Sequence, residues 1–158
     1  MHTAEPVAGV VPGAGSAEDR VLDALIIVGR VVRQRFAEDS LDPGTLGLLK
    51  ELAARDAMRV TELATCSGLD ASTVSRHVAT LHRVGLVDRA PDTADRRAQL
   101  VMLSEHGRQE LTAGLARRRS MLSRSLADWN TTDTETFDHL LARFVGDLQH
   151  IAVELEHA

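Results

Sequence analysis

DASTVSRHVATLHRVGLVDRAPDTADRRAQLVML, residues 70–103, changes its period partway along. From Asp70 to about Val84 the apolar residues Ala71, Val74, Val78 and Leu81 recur at three and four, the repeat of a helix with one buried face. Asp70 has the side chain of a helix cap, and Gly85 suits a helix end because it takes the left-handed conformation without strain. Leu86 to Ala90 and Ala98 to Leu103 read as two short strands around the polar tip Pro91-Asp92-Thr93-Ala94-Asp95-Arg96-Arg97, a hairpin with a longish loop.

Upstream, Thr61 is expected to cap a short helix carrying Leu63 and Ala64, which Cys66-Ser67-Gly68 then stops, with Arg59-Val60 as a very short strand before it. Asp42-Pro43 is a helix start, cap then proline, and Leu46, Leu49 and Leu52 give that helix its stripe to about Arg55. An amphipathic first helix fits Ser16 to about Ala37, while residues 1–15, rich in Ala, Gly, Pro and Val without a period, are expected to form a disordered tail. Downstream, Ser104 caps a long helix to about Asp128, and Thr132 with Glu135 has the spacing of a capping box for a last helix to about Leu155. Short helix, tight turn, helix, hairpin is the order of a winged helix-turn-helix. The expected fold is therefore mainly α with a small β-hairpin wing: a winged helix-turn-helix lobe on a helical body.

The helix from Asp70 carries the chemistry. Opposite its apolar stripe lie Ser72, Thr73, Ser75, Arg76, Ala79, Thr80 and Arg83, a short, polar and basic face of the kind that enters a major groove. Arg76 can donate two bonds to a guanine edge, and the hydroxyls reach base edges or phosphate oxygens. The chain as a whole carries a net charge of −5, which opposes DNA. Between Asp70 and Arg97, however, five Arg face four Asp, so this stretch is +1 and the remainder −6. A merely solvated helix face, or a winged module that docks protein, is the alternative. A docking face would display aromatic or large aliphatic anchors, which the outward positions lack.

The chain resembles the MarR family of transcriptional regulators. The resemblance rests on Val60-Thr61-Glu62-Leu63-Ala64, Ser72 to Leu81, Gly85-Leu86-Val87-Asp88-Arg89, Asp95-Arg96-Arg97 and Leu100 to Gly107, in that order. It implies a homodimer whose body is formed by residues 16–41 and 104–158, with residues 42–103 as the DNA-binding lobe of a single domain spanning 16–158. It implies a repressor of a palindromic double-stranded DNA operator, released by a small organic effector held between the dimer helices and the lobe. It also implies that Arg97 enters a minor groove with Asp95 orienting it, and Arg96 is a further phosphate-reach candidate. Relatives that sense peroxide do so through a cysteine in the first helix, and Cys66 lies elsewhere.

Composition narrows the alternatives. The 158 residues are 44% hydrophobic but hold only three Phe and one Trp, so the core must be aliphatic. Cys66 is the only cysteine, which excludes an intramolecular disulfide; it is expected to be a small buried thiol. His77 and His82, like His139 and His150, lack the spacing that brings two imidazoles to one metal, and no cofactor is expected. No paired nucleophile and base, carboxylate pair or phosphate-cradling glycine loop suggests an enzyme. Arg117-Arg118-Arg119 and Arg124 are expected to be solvated or paired with the acidic last helix. Without a basic leader or a membrane-length apolar run, the chain is expected to be cytoplasmic, with no membrane partner. The first helix and the last two carry more apolar surface than one small lobe covers. Leu22, Ile26, Leu122, Leu126, Trp129, Leu141, Phe144 and Leu148 are the candidates for a core shared by two copies.

Overall fold

The computed structural model describes residues 15–37, 39, 41–95 and 98–156. In chain order the elements are α1 (Ala17–Arg35), α2 (Pro43–Ala54), β1 (Met58–Arg59), α3 (Val60–Ser67), α4 (Ala71–Arg83), β2 (Val87–Pro91), β3 (Gln99–Leu103), α5 (Glu105–Ser125) and α6 (Thr131–Glu156). The chain divides into two compact units, one ending at Gly114 and the other beginning at Leu115. Of the expected tail, residues 1–15, all but Gly15 lie outside the described residues.

In the first unit the hydrophobic core gathers α2, α3, α4 and the sheet. Leu48, Leu49 and Leu52 of α2 meet Leu63 of α3, Val74 and Val78 of α4, and Val87 and Val101 of the strands, all nearly inaccessible to water. The sheet has three strands in the order β1-β3-β2, both pairings antiparallel, so the hairpin gains a third strand from the entry to α3. Met58 pairs with Val101 and Arg59 with Leu100. Val60, expected in that short strand, is instead the first residue of α3.

The helix starts follow capping chemistry. Ser16 and Asp19 cap α1 reciprocally, and the Asp42 carboxylate accepts from the N–H groups of Gly44 and Thr45 at 2.8 and 3.0 Å. Two expected caps are corrected. Thr61 lies inside α3, whose cap is Arg59: Glu62 accepts the Arg59 N–H at 2.7 Å. Asn130, not Thr132, opens α6; its side chain exchanges hydrogen bonds with Asp133, while the Thr132 carbonyl accepts from the Thr136 hydroxyl within the helix. Asn carries both a donor and an acceptor, so one side chain completes the exchange that the Thr132–Glu135 spacing suggests. α5 ends at Ser125, short of the expected Asp128.

Gly68 and Gly85 adopt φ of 63° and 76°, and each is followed by a leucine whose N–H reaches back to the preceding helix. Leu86 is thereby drawn into the core, and β2 starts one residue later than expected. At the far end of β3, Ser104 joins three segments. Its N–H donates to the Leu86 carbonyl at 3.1 Å, its hydroxyl donates to the Gly85 carbonyl at 2.6 Å, and the same oxygen accepts the Gly107 N–H at 2.9 Å.

Gly107 occupies the closest approach. A Cβ built there would stand 2.0 Å from the Leu86 carbonyl oxygen, a backbone atom that cannot swing aside. Gly107→Ala is expected to destabilise the fold by about 3 kcal/mol, because α5 must part from β2. Gly47→Ala, in α2 with nothing within 4 Å of the added methyl, is expected to stabilise it by about 0.5–1 kcal/mol. Urea unfolding of the two variants beside the parent chain measures both.

Candidate nucleic-acid interface

α4 follows α3 after the turn Gly68-Leu69-Asp70. Val74, Val78 and Leu81 are buried and fix its rotation. Ala71, counted with that stripe in the sequence, is exposed: in the first turn it lies beyond the surface that the core covers. Ser72, Ser75, Arg76, Ala79, Thr80 and Arg83 are exposed together, while Thr73 is half-buried. The outward face is thus short, polar and basic.

Hydrogen bonds organise the first turn of this face. Asp70 accepts from the Thr73 N–H at 2.8 Å and from the Ser72 hydroxyl at 2.5 Å. The Ser72 hydroxyl, then Thr73, hold the Asp70 carboxyl far below the usual carboxylate range, so it is ionised. The Thr73 hydroxyl in turn accepts from Arg76 Nη2 at 3.1 Å. At the other end of α4, His82 Nδ1 lies 3.0 Å from the Val87 carbonyl. A carbonyl can only accept, so the proton sits on Nδ1 and this histidine ties α4 to β2. His77 and His82 are both exposed on the helix.

At the wing, Asp95 is exposed and its carbonyl accepts the Ala98 N–H at 2.9 Å. Arg96 and Arg97 lie outside the described residues. The loop is anchored by a residue that the sequence shows only as part of a polar tip. Asp92 is 7% exposed, its N–H donates to the Ala98 carbonyl, and its Oδ1 accepts the Ala94 N–H at 2.8 Å. Its Oδ2 accepts from both Nε and Nη2 of Arg59, the former at 2.7 Å. The Ala94 N–H, then Arg59, lower the Asp92 carboxyl, while Asp92 raises the Arg59 guanidinium. Sequence reading placed Arg59 only in a short strand and missed its pairing, since the partner lies 33 residues away across a strand.

Cys66, expected to be buried, is exposed: Leu63 and Ala64 take the core side of α3 and leave the thiol outside. Among the described residues no group of three His, Cys, Asp or Glu could hold a metal, and no helix is long and apolar enough to cross a membrane. The second unit has an open cleft of about 390 Å³ lined by Asp128, Trp129, Asp133, Thr136, Phe137 and Leu140. Within it Trp129 and Phe137 meet edge to face, their centroids 5.5 Å apart.

A profile of the MarR family matches residues 39–98. The uncharacterized HTH-type transcriptional regulator YxaD of Bacillus subtilis is 35% identical over 104 residues, which cover 66% of this chain and 73% of YxaD. The fold is also that of the transcriptional repressor CouR bound to a 23-mer DNA duplex: TM-score 0.72, 22% identity, 84% of this chain and 92% of that one. It is likewise that of the PcaV regulator of Streptomyces coelicolor in complex with its natural ligand: TM-score 0.65, 23% identity, 83% of this chain and 93% of that one.

The Asp70 cap sets a pH dependence. Its carboxyl is depressed in the folded chain, so the stabilisation is complete above the ordinary carboxylate value of about 4 and is lost as acidification approaches the lower folded value. Asp70→Ala is therefore expected to be less stable than the parent near neutrality, with the gap closing below about pH 4. Asp70→Asn, which keeps an acceptor, is expected to restore part of the stability without that pH dependence. Unfolding midpoints of all three chains from neutrality downward read the effect, and a gap that does not change with pH would contradict it.

Proposed function

The chain belongs to the MarR family of winged helix-turn-helix, DNA-binding transcriptional regulators, and from that premise we propose that it is a homodimeric repressor of a palindromic operator, released by a small organic effector. The family consists of regulators and not of enzymes. The observation that carries the operator reading is the exposed face of α4, where Ser72, Ser75, Arg76, Thr80 and Arg83 stand together opposite a fully buried stripe. In this reading Arg76 contacts a guanine edge, the hydroxyls of Ser72, Thr73, Ser75 and Thr80 contact bases or phosphates, and Arg83 contacts phosphate. Asp95, Arg96 and Arg97 form the wing's contribution, with Arg97 in a narrow minor groove.

The dimer reading is supported by apolar side chains left in water. α1 has no buried residue, and Leu22 and Ile26 are 58% and 59% exposed. No described residue of α6 is buried either, and Leu122, Trp129, Leu141 and Leu148 are exposed while Leu126 and Phe144 are half-covered. Uncovered apolar surface of this extent is what a partner surface removes from water. We assign residues 16–41 and 104–158 to this body and 42–103 to the DNA-binding lobe. The PcaV complex supports an effector for a chain of this fold. A largely apolar effector would weaken DNA binding by preferring a spacing of the two recognition helices that does not match the operator.

Duplexes selected from a random pool by the purified chain are expected to carry an inverted repeat with half-site centres about 10 base pairs apart. Selected sequences without two-fold symmetry, or a folded monomer at micromolar concentration in sedimentation, would overturn the dimeric-operator reading. On the selected duplex, Arg76→Ala is expected to cost about 1–3 kcal/mol and to relax the preference at one base pair of each half-site. Arg97→Ala is expected to weaken the preference for A·T-rich flanks, and Asp95→Ala to share part of that loss although it removes a negative charge. Tighter binding by Asp95→Ala with no change in Arg97→Ala would remove the wing from the reading.

A further inference from the structure

Arg59 is the last residue of the outer strand β1, and Asp92 directly follows β2, the strand on the other side of β3. Arg59 and Asp92 therefore meet from the two sides of the central strand. The two Asp92 oxygens divide their partners: Oδ2 takes the Arg59 guanidinium, and Oδ1 takes the Ala94 N–H within the loop. Around them the loop is closed by the Asp92 N–H on the Ala98 carbonyl and the Ala98 N–H on the Asp95 carbonyl. The Asp92 side chain is 9% exposed and that of Arg59 38%, so this is not the ordinary surface pair of negligible worth. Removing Arg59 leaves the largely covered Asp92 carboxylate uncompensated. Asp92, Asp95 and Glu62 all act electrostatically on Arg59, which occupies it with carboxylates of its own chain.

We propose that Arg59 and Asp92 are positioning residues for DNA recognition: the pair clamps the root of the wing to β1 and so sets how well the chain discriminates its operator, without Arg59 itself contacting phosphate. This rests on the DNA-binding reading of the family and extends it to two residues outside the recognition helix and the wing's Asp95–Arg97 segment. An arginine at the foot of a DNA-binding wing would otherwise be assigned to the backbone of the duplex, and the two roles predict opposite signs at Asp92. If Arg59 serves phosphate, Asp92 competes for it, and neutralising Asp92 strengthens binding. If the pair is a clamp, neutralising either partner loosens the same loop.

The experiment compares Arg59→Gln, Asp92→Asn, the double variant and Arg59→Lys on the duplex that the parent chain selects and on a scrambled duplex of equal length, at fixed salt. Asp92→Asn keeps the Oδ1 acceptor for Ala94, so it tests the ion pair apart from the turn. Each single neutralisation is expected to lower the ratio of specific to scrambled affinity about fivefold, and the double variant no further, the coupling expected of side chains in contact. Arg59→Lys is expected to recover part of the ratio. In the DNA-free chain the Ala94 and Ala98 amides are expected to exchange faster in both single variants. Tighter binding by Asp92→Asn, with Arg59→Gln weakened equally on both duplexes, would make Arg59 a phosphate ligand and overturn the proposal. A fall in thermal midpoint with an unchanged ratio would overturn it as well, leaving a purely structural pair. A parent chain that prefers no duplex would remove the DNA-binding reading itself, an outcome separable from the others because it appears before any substitution is made.

Discussion

Backbone meets backbone where the first turn of α5 lies against Leu86, and no side chain larger than hydrogen fits at Gly107. That contact is possible because Ser104, itself buried, satisfies polar groups on both sides: it donates to Gly85 and accepts from Gly107. The turn that ends α4, the end of the wing hairpin and the start of α5 are thereby held at one point. The His82 bond to Val87 adds a second tie between α4 and β2. The face of α4 inherits its rotation from Val74 and Val78, and its relation to the wing from these contacts. A loosened Ser104 junction would leave every residue of the interface present and its geometry unset.

Features legible in the sequence were those whose physics is local. Asp42-Pro43, Gly68 and Gly85 mark helix ends by their own conformational preferences, and the stripe of α4 needs only its own spacing. Errors arose where neighbours or distant partners decide. Asn130 takes the cap from Thr132 because a side chain with both donor and acceptor completes the exchange with Asp133 unaided. Cys66 and Ala71 have the size and polarity of core residues, yet they lie outside because Leu63 and Val74 already fill the inward positions. Arg59 and Asp92 could not be paired from spacing at all, since an ion pair across three strands leaves no period in the chain.

The same limit bears on the apolar stripes of α1 and α6. A hydrophobic repeat states that a face must be covered and says nothing about which chain covers it. In the first unit Leu48, Leu49 and Leu52 of α2, Leu63 of α3 and Val74, Val78 and Leu81 of α4 are all buried within one chain. Leu140, Leu141, Val145, Leu148 and Ile151 of α6 remain exposed, as do Val21, Leu25 and Val28 of α1. Under the proposed dimer these faces are removed from water by the second copy.

The hydrogen bonds in the first turn of α4 also fix which way its hydroxyls can bond outward. The proton of Ser72 is committed to Asp70, so the hydroxyl turns only lone pairs outward and can meet an amino group of adenine or cytosine but not the O6 of guanine or a phosphate oxygen. Thr73 shares the arrangement: its side chain also bonds to Asp70, and its oxygen receives Arg76. Two adjacent small alcohols are thus oriented by one carboxylate, which takes a hydrogen bond from each side chain and leaves their lone pairs outward.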